Sequence, residues 1–230
     1  MEYEYVSKKE YRPVREELEQ IIHRAQDQLR NLGMTFQPCL IGSGSNHLIT
    51  REKSGNKGFD FDYNLILRDP GDNRDYNAKV LKDEFKKAFE IALHGTKYTP
   101  PEDSTSVLTI KVVDTANSRI IHSCDLAIIY YPESGNDGEY KYLCNWKNGI
   151  YSFVTRTESR GNKRKLDEIK NYPGGWNMVR DEYLKVKNNN RDPDKHSHVL
   201  YLEAVNNVYN QIKPLYFGGL ITVQNPYYNG

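Results

Sequence analysis

Apolar and polar positions alternate with a period that changes along the chain, and the changes mark out its elements. From Pro13 to Leu32, residues Val14, Leu18, Ile21, Ile22, Ala25 and Leu29 recur at helical spacing, so the pattern predicts an amphipathic helix with Pro13 in its first turn and Gly33 as its stop. Phe36 to Ile41 reads as a short strand that ends at Gly42-Ser43-Gly44-Ser45. Leu48 to Gly58 reads as a turn of helix followed by a loop or hairpin. Phe59 to Leu67, FDFDYNLIL, alternates strictly and predicts a strand whose two faces meet different surroundings. Asp69-Pro70-Gly71-Asp72 closes that strand with turn chemistry.

Tyr76 to His94 predicts a second amphipathic helix, and Ser106 to Val113 and Arg119 to Tyr131 two more strands. Tyr140 to Asn145 and Ile150 to Thr155 flank Lys147-Asn148-Gly149 as a β-hairpin. After Arg156 the β-branched runs stop. Leu166 to Asn171, Trp176 to Lys187 and His198 to Ile212 read as helices, and Tyr216 to Gly230 shows no periodicity. The expected fold is therefore α+β: a mixed β-sheet with flanking helices over residues 1–156, then a helical C-terminal region over 157–230.

Composition narrows the class without choosing a function. The chain has 230 residues, of which 37% are hydrophobic and 27% charged, as in a soluble globular protein. A formal net charge of +1 announces no global attraction to nucleic acid or membrane. No apolar run approaches the roughly 20 residues that cross a bilayer, and Met1 to Tyr11 lacks the apolar core of a signal peptide. Cys39, Cys124 and Cys144 form no CxxC pair and are odd in number, which argues against a disulfide-linked partner or a zinc site. The location these features imply is the cytoplasm.

Three carboxylates stand out by their setting. Asp60 and Asp62 lie two apart on a predicted strand, so both side chains leave the same face and repel each other. Divalent cations remove that repulsion, and hard oxygen ligands suit Mg²⁺. Asp125 interrupts the apolar stretch HSCDLAIIYY of another strand, and a neighbouring position would bring it to the pair. Upstream, the glycines of Gly42-Ser43-Gly44-Ser45 would let backbone amides approach phosphate oxygens, and a helix starting at about Ser45 would add its positive end. Each piece has an ordinary reading as a flexible turn or a solvated acid; their order is what carries the inference.

That order resembles the DNA polymerase β-like nucleotidyltransferase superfamily. The matching motifs are Ile41-Gly42-Ser43, Phe59-Asp60-Phe61-Asp62-Tyr63 and Cys124-Asp125-Leu126, within residues 12–131. The resemblance implies a nucleotidyltransferase-type sheet and an enzyme that moves a nucleoside monophosphate from an NTP, such as ATP, to a hydroxyl with release of pyrophosphate. It implies Asp60, Asp62 and Asp125 as catalytic metal ligands for two Mg²⁺ ions, with Mn²⁺ as a substitute. Gly42, Ser43, Gly44 and Ser45 would bind the nucleotide. The spacing from Ser43 to Asp60 resembles that of oligoadenylate synthase-like and cyclic-dinucleotide synthase-like relatives. The acceptor is left open among an RNA 3′ end, a small molecule, a protein side chain and a second nucleotide. The alternative is a catalytically inactive nucleotide-binding or interaction module.

Other residues add less. A basic stretch from Arg156 to Arg191 would face a triphosphate or RNA, with Lys163 and Lys165 as the nucleotide-contacting candidates, or form a solvated helix surface. Trp176 would stack on a base or anchor a helix. Tyr63 reads as packing, and Asn64 shares the acidic face. His122, three residues from Asp125 on a strand, faces the other way. His47 would reach a phosphate or cap the Gly-Ser turn.

Overall fold

The computed structural model describes residues 2–71, 76–146, 149–158, 160–192 and 194–217. The described chain divides into two compact units, one from Tyr3 to Glu158 and one after it.

In the first unit, strand β1 (Tyr3–Tyr5) leads into helix α1 (Lys8–Arg30), β2 (Phe36–Ile41), the single helical turn α2 (Gly42–Ser45), β3 (Thr50–Glu52) and β4 (Phe59–Leu67). Helix α3 (Ala78–Leu93) follows, then β5 (Glu102–Asp103), β6 (Leu108–Asp114), β7 (Arg119–Tyr130), β8 (Glu139–Trp146) and β9 (Ile150–Thr157). The principal sheet runs β2-β4-β7-β6-β5, with β8 on the far end of β7 and β9 on β8. Among the described residues, β4 and β7 pair in parallel and every other pair in the sheet is antiparallel.

The alternation along β4 decides which face is covered. Phe59, Phe61, Tyr63, Leu65 and Leu67 are buried, and they share one core with Leu18, Ile21, Ile22, Ala25 and Leu29 of α1 and with Leu81, Phe85, Ala88 and Phe89 of α3. Each such Leu, Ile or Phe side chain contributes roughly 1.5–3 kcal/mol when removed from water, so this face fixes the register of the strand. The intervening Asp60, Asp62, Asn64 and Ile66 take the opposite face by the same period.

Helix α1 begins five residues before the predicted start. Ser7 caps it by accepting a hydrogen bond from the Glu10 amide (3.3 Å), and Pro13 lies inside the helix. The added turns are charged and bury only Tyr11, so they carry no apolar period to read. The segment after the Gly-Ser turn also differs: Thr50–Glu52 is a strand that pairs antiparallel with Tyr3–Tyr5. The tips at 72–75 and 147–148, including part of each predicted turn, lie outside the described residues.

The second unit holds α4 (Arg160–Lys170), α5 (Gly175–Asn189) and α6 (Ser197–Phe217) around Ile169, Val179, Val205, Val208 and Ile212. Gly174 has φ +73, and a Cβ on Gly175 would lie 2.1 Å from the Ile169 carbonyl oxygen, so the Pro-Gly-Gly turn is required for α5 to leave α4. Trp176 is partly buried against this core, as an anchor would be, with the Lys170 ammonium 5.6 Å from its ring. Residues after Phe217, most of the aperiodic C-terminal stretch, lie outside the described residues. No described helix is long and apolar enough to cross a membrane.

Candidate active site

The parallel pairing of β4 with β7 brings the three acids together. Asp60 stands opposite Ser123 and Asp62 opposite Asp125. Paired residues on adjacent strands point to the same side, about 4.8 Å apart between strands. All three carboxylates therefore share the face that the core leaves free. Asp60 is exposed, while Asp62 and Asp125 are half-buried.

Two hydroxyls hold this arrangement. Thr109, opposite Asp125 on β6, donates from Oγ1 to Asp125 Oδ1 at 2.6 Å. Ser123 Oγ donates to Asp60 Oδ1 in a short hydrogen bond. Sequence reasoning missed both residues. Ser123 was accessible, because it lies two before Asp125 and so shares its face; Thr109 is placed only by strand register.

Burial and like charge act on Asp62 and Asp125 in the same direction. Asp62 is raised from 3.8 to about 6, first by burial and then by the charges of Asp125 and Asp60. Burial also raises Asp125, against the lowering effect of the Thr109 hydrogen bond, and the Asp60 charge adds to the rise. Among the described residues, no basic side chain forms an ion pair with any of the three. Their repulsion is relieved by a proton or by a cation.

The donor chemistry, carboxylate oxygens only, fits a hard divalent ion. Among the described residues, no three His, Cys, Asp or Glu side chains already close around one point as a metal site.

The Gly-Ser turn sits directly beside the acids. Ile41, the last residue of β2, stands opposite Asp62, and the chain then turns at Gly42 with φ +62. A Cβ at Gly42 would lie 2.7 Å from Asp62 Oδ2, so only glycine permits this approach. The Gly42 carbonyl accepts from Ser45 Oγ (3.0 Å) and Asn46 Nδ2 (3.1 Å). Gly44 is buried against Leu40 and Phe61. Ser43 accepts from the Leu48 amide through its carbonyl (2.8 Å).

The expected helix starting at Ser45 is replaced by one helical turn over Gly42–Ser45, ended by His47 at φ +55. So short a turn has few aligned peptides and no substantial macrodipole. His47 Nδ1 lies 2.8 Å from the Tyr11 hydroxyl, which ties the end of the turn to α1.

The remaining candidates fall elsewhere. His122 is buried on the core face, with Nε2 at 3.0 Å from the Tyr98 hydroxyl, and so does not share the face of Asp125. Tyr63 packs in the core and donates to Glu19 Oε1 at 3.2 Å. Lys163 and Lys165 belong to α4 in the helical unit. There Lys165 Nζ donates to Asn206 Oδ1 (2.5 Å), and Lys163 is exposed.

A mixed sheet backed by two helices on one face, acids on the other and helices following in the chain is a nucleotidyltransferase-type α+β fold. The chain is similar in structure to the GTP-bound di-nucleotide cyclase DncV of Vibrio cholerae, with TM-score 0.54 and 15% identity over 89% of this chain and 52% of that one. It is also similar to CdnC of E. coli MS115-1 with ATP (TM-score 0.51, 15% identity, 90% and 62% covered). Escherichia coli DncV bound to 3′-deoxy GTP gives TM-score 0.51 at 12% identity, with 92% and 59% covered. At such identity the likeness is one of fold, and the chain spans 52–62% of the length of these structures. No protein-family model and no curated protein sequence matches the chain.

Proposed function

We propose that the chain is a metal-dependent nucleotidyltransferase that transfers a nucleoside monophosphate from an NTP to the hydroxyl of a second nucleotide. The observation that carries this reading is the in-register pairing of Asp62 with Asp125, with Asp60 on the same face and Gly42 against Asp62. The fold likeness to a di-nucleotide cyclase bound to GTP supports the choice of acceptor over RNA or another small molecule.

Asp60, Asp62 and Asp125 would hold Mg²⁺, two ions by the superfamily resemblance, with Mn²⁺ as a substitute. When bound, the metal supplies charge that offsets the triphosphate and polarises the acceptor hydroxyl. The Gly42–Ser45 backbone, free of side-chain bulk at Gly42, receives the phosphate chain beside Asp62. The acceptor oxygen attacks the α-phosphorus, the bond from that phosphorus to the bridging oxygen of the β-phosphate breaks, and pyrophosphate leaves. Asp125, whose proton affinity burial holds up, takes the hydroxyl proton.

A second reading, an inactive nucleotide-binding module, draws on the unclosed arrangement of the three acids. Turnover separates the two. The assay is pyrophosphate release with Mg²⁺ and each pair of NTPs, with the nucleotide product resolved by mass spectrometry. Release with a linked dinucleotide, lost in Asp60→Ala with Asp62→Ala, supports transfer. NTP binding without release with any pair supports the module.

A further inference from the structure

Residues 3–11 grip the segment that follows the Gly-Ser turn. Tyr3, Glu4 and Tyr5 pair with Glu52, Arg51 and Thr50. The Val6 amide donates to the Ile49 carbonyl (2.9 Å). Arg51 forms ion pairs with Glu4 (2.8 Å) and with Glu10. Tyr11 makes the link nearest the turn. Its hydroxyl lies 2.8 Å from His47 Nδ1, and its ring stacks on the imidazole with centroids 6.4 Å apart and planes at 20°.

His47 is where such a tie matters. It has φ +55, which a residue carrying a Cβ adopts at a cost. A residue in this region persists when its surroundings over-determine it, and such residues gather at sites that need a fixed geometry. Immediately after it, the Leu48 amide donates to the Ser43 carbonyl (2.8 Å). The conformation of His47 therefore bears directly on where Ser43, and Gly42 before it, come to rest.

Tyr11 also reaches the strand that carries the acids. It is 4% exposed, and its ring meets Phe61 edge-on, with centroids 6.4 Å apart and planes at 70°. Phe61 separates Asp60 from Asp62 along β4, and a Cβ at Gly44 would lie 3.3 Å from Phe61 Cδ1. One side chain thus touches both partners in the close approach of the turn to the acids: the turn through His47, the acid strand through Phe61. Packing on Phe61 needs only the ring; the hydroxyl is directed to His47.

We infer that Tyr11, acting through His47, is a positioning residue that sets the Gly-Ser turn against the carboxylates for nucleotide binding and transfer. This rests on the nucleotidyl-transfer reading above. The test compares wild type, Tyr11→Phe, His47→Gly and the double variant. The readouts are kcat and KM for pyrophosphate release, calorimetric titration of a nonhydrolysable NTP with Mg²⁺, and melting in EDTA. Tyr11→Phe keeps the ring and loses the hydroxyl. His47→Gly adopts φ +55 without strain and loses the imidazole. Each weakens NTP binding by about 3- to 10-fold, the worth of one hydrogen bond, and KM rises in step. The double variant loses no more than the worse single one, because both changes remove the same interaction. Tyr11→Phe melts within a few degrees of wild type.

A pair that only supports the fold lowers the melting temperature and leaves NTP affinity and kcat/KM at the wild-type values. That result overturns the inference and leaves nucleotidyl transfer standing. Losses that add in the double variant overturn the route through His47. A wild type that binds no NTP and releases no pyrophosphate overturns both readings.

Discussion

Asp62 and Asp125 face each other across the parallel pair of β4 and β7, and no basic side chain among the described residues forms an ion pair with either. Such a pair costs the folded chain stability when both ions are charged. With Asp60 beside them, the repulsion among the three acids is relieved by a cation.

The first prediction follows from that cost. Asp62 has a folded-state pKa of about 6 against 3.8 when unperturbed. A raised carboxylate pKa gives stability that is full below the unfolded value and lost as pH rises through the folded one. Asp62→Asn therefore stabilises the metal-free protein at pH 7, by roughly 2–3 kcal/mol. The gain over wild type grows between pH 4 and 6 and is flat above. Melting in EDTA across that range measures it, and the same variant has no transferase activity. A variant less stable than wild type at pH 7 would mean that the acids do not strain the fold.

Part of this site is legible in the chain and part is not. The period of two in FDFDYNLIL puts Asp60 and Asp62 on one face and Phe59, Phe61 and Tyr63 on the other, because alternation is a local property. That Asp125 meets Asp62 rather than Asp60 is a matter of register between strands 63 residues apart, which no local pattern sets. Thr109 was overlooked for the same reason. The start of α1 was missed because Lys8 to Arg12 is charged and only the cap at Ser7 marks it. The basic stretch from Arg156 to Arg191 includes Lys163 and Lys165 of α4. Arg156, at its edge, is on a strand of the sheet unit instead.

Gly42 makes a second prediction. An alanine there must adopt φ near +62, at a cost of about 1 kcal/mol, and its Cβ displaces the Asp62 carboxylate. Gly42→Ala lowers the melting temperature by a few degrees and lowers kcat/KM by at least about tenfold, since a misplaced ligand of this kind is costly to catalysis. Steady-state rates at saturating Mg²⁺ read the effect. Unchanged kcat/KM would remove the Gly-Ser turn from the site.

Thr109 acts through Asp125 as a positioning residue. Thr109→Val keeps the shape and removes the 2.6 Å hydrogen bond to Asp125 Oδ1. Residues that orient metal ligands change metal affinity by about 10- to 100-fold when lost. The variant is expected to need at least about tenfold more Mg²⁺ for half-maximal activity, with the rate largely recovered at high Mg²⁺. Wild-type Mg²⁺ dependence would mean that Asp125 needs no such support.

On the core face, behind the acids, His122 gives a pH response of the opposite sign. Burial, with Lys97 nearby, lowers it from 6.5 to about 4, and the Glu17 charge opposes that weakly. The ring is enclosed by Phe59 and Tyr98, with Nε2 at 3.0 Å from the Tyr98 hydroxyl. Below pH 6.5 the unfolded histidine takes up a proton that the folded one refuses, so stability falls as pH drops from about 6.5 to about 4 and changes no further below. The contribution is about 2 kcal/mol once partial solvent screening is allowed for. Because Asp62 gains stability in part of that window, the informative quantity is the difference between wild type and His122→Phe. That difference should decline as the solution is acidified from pH 7 to 4, read by urea unfolding in EDTA. A difference independent of pH would show that His122 charges in the folded protein as readily as in the unfolded chain.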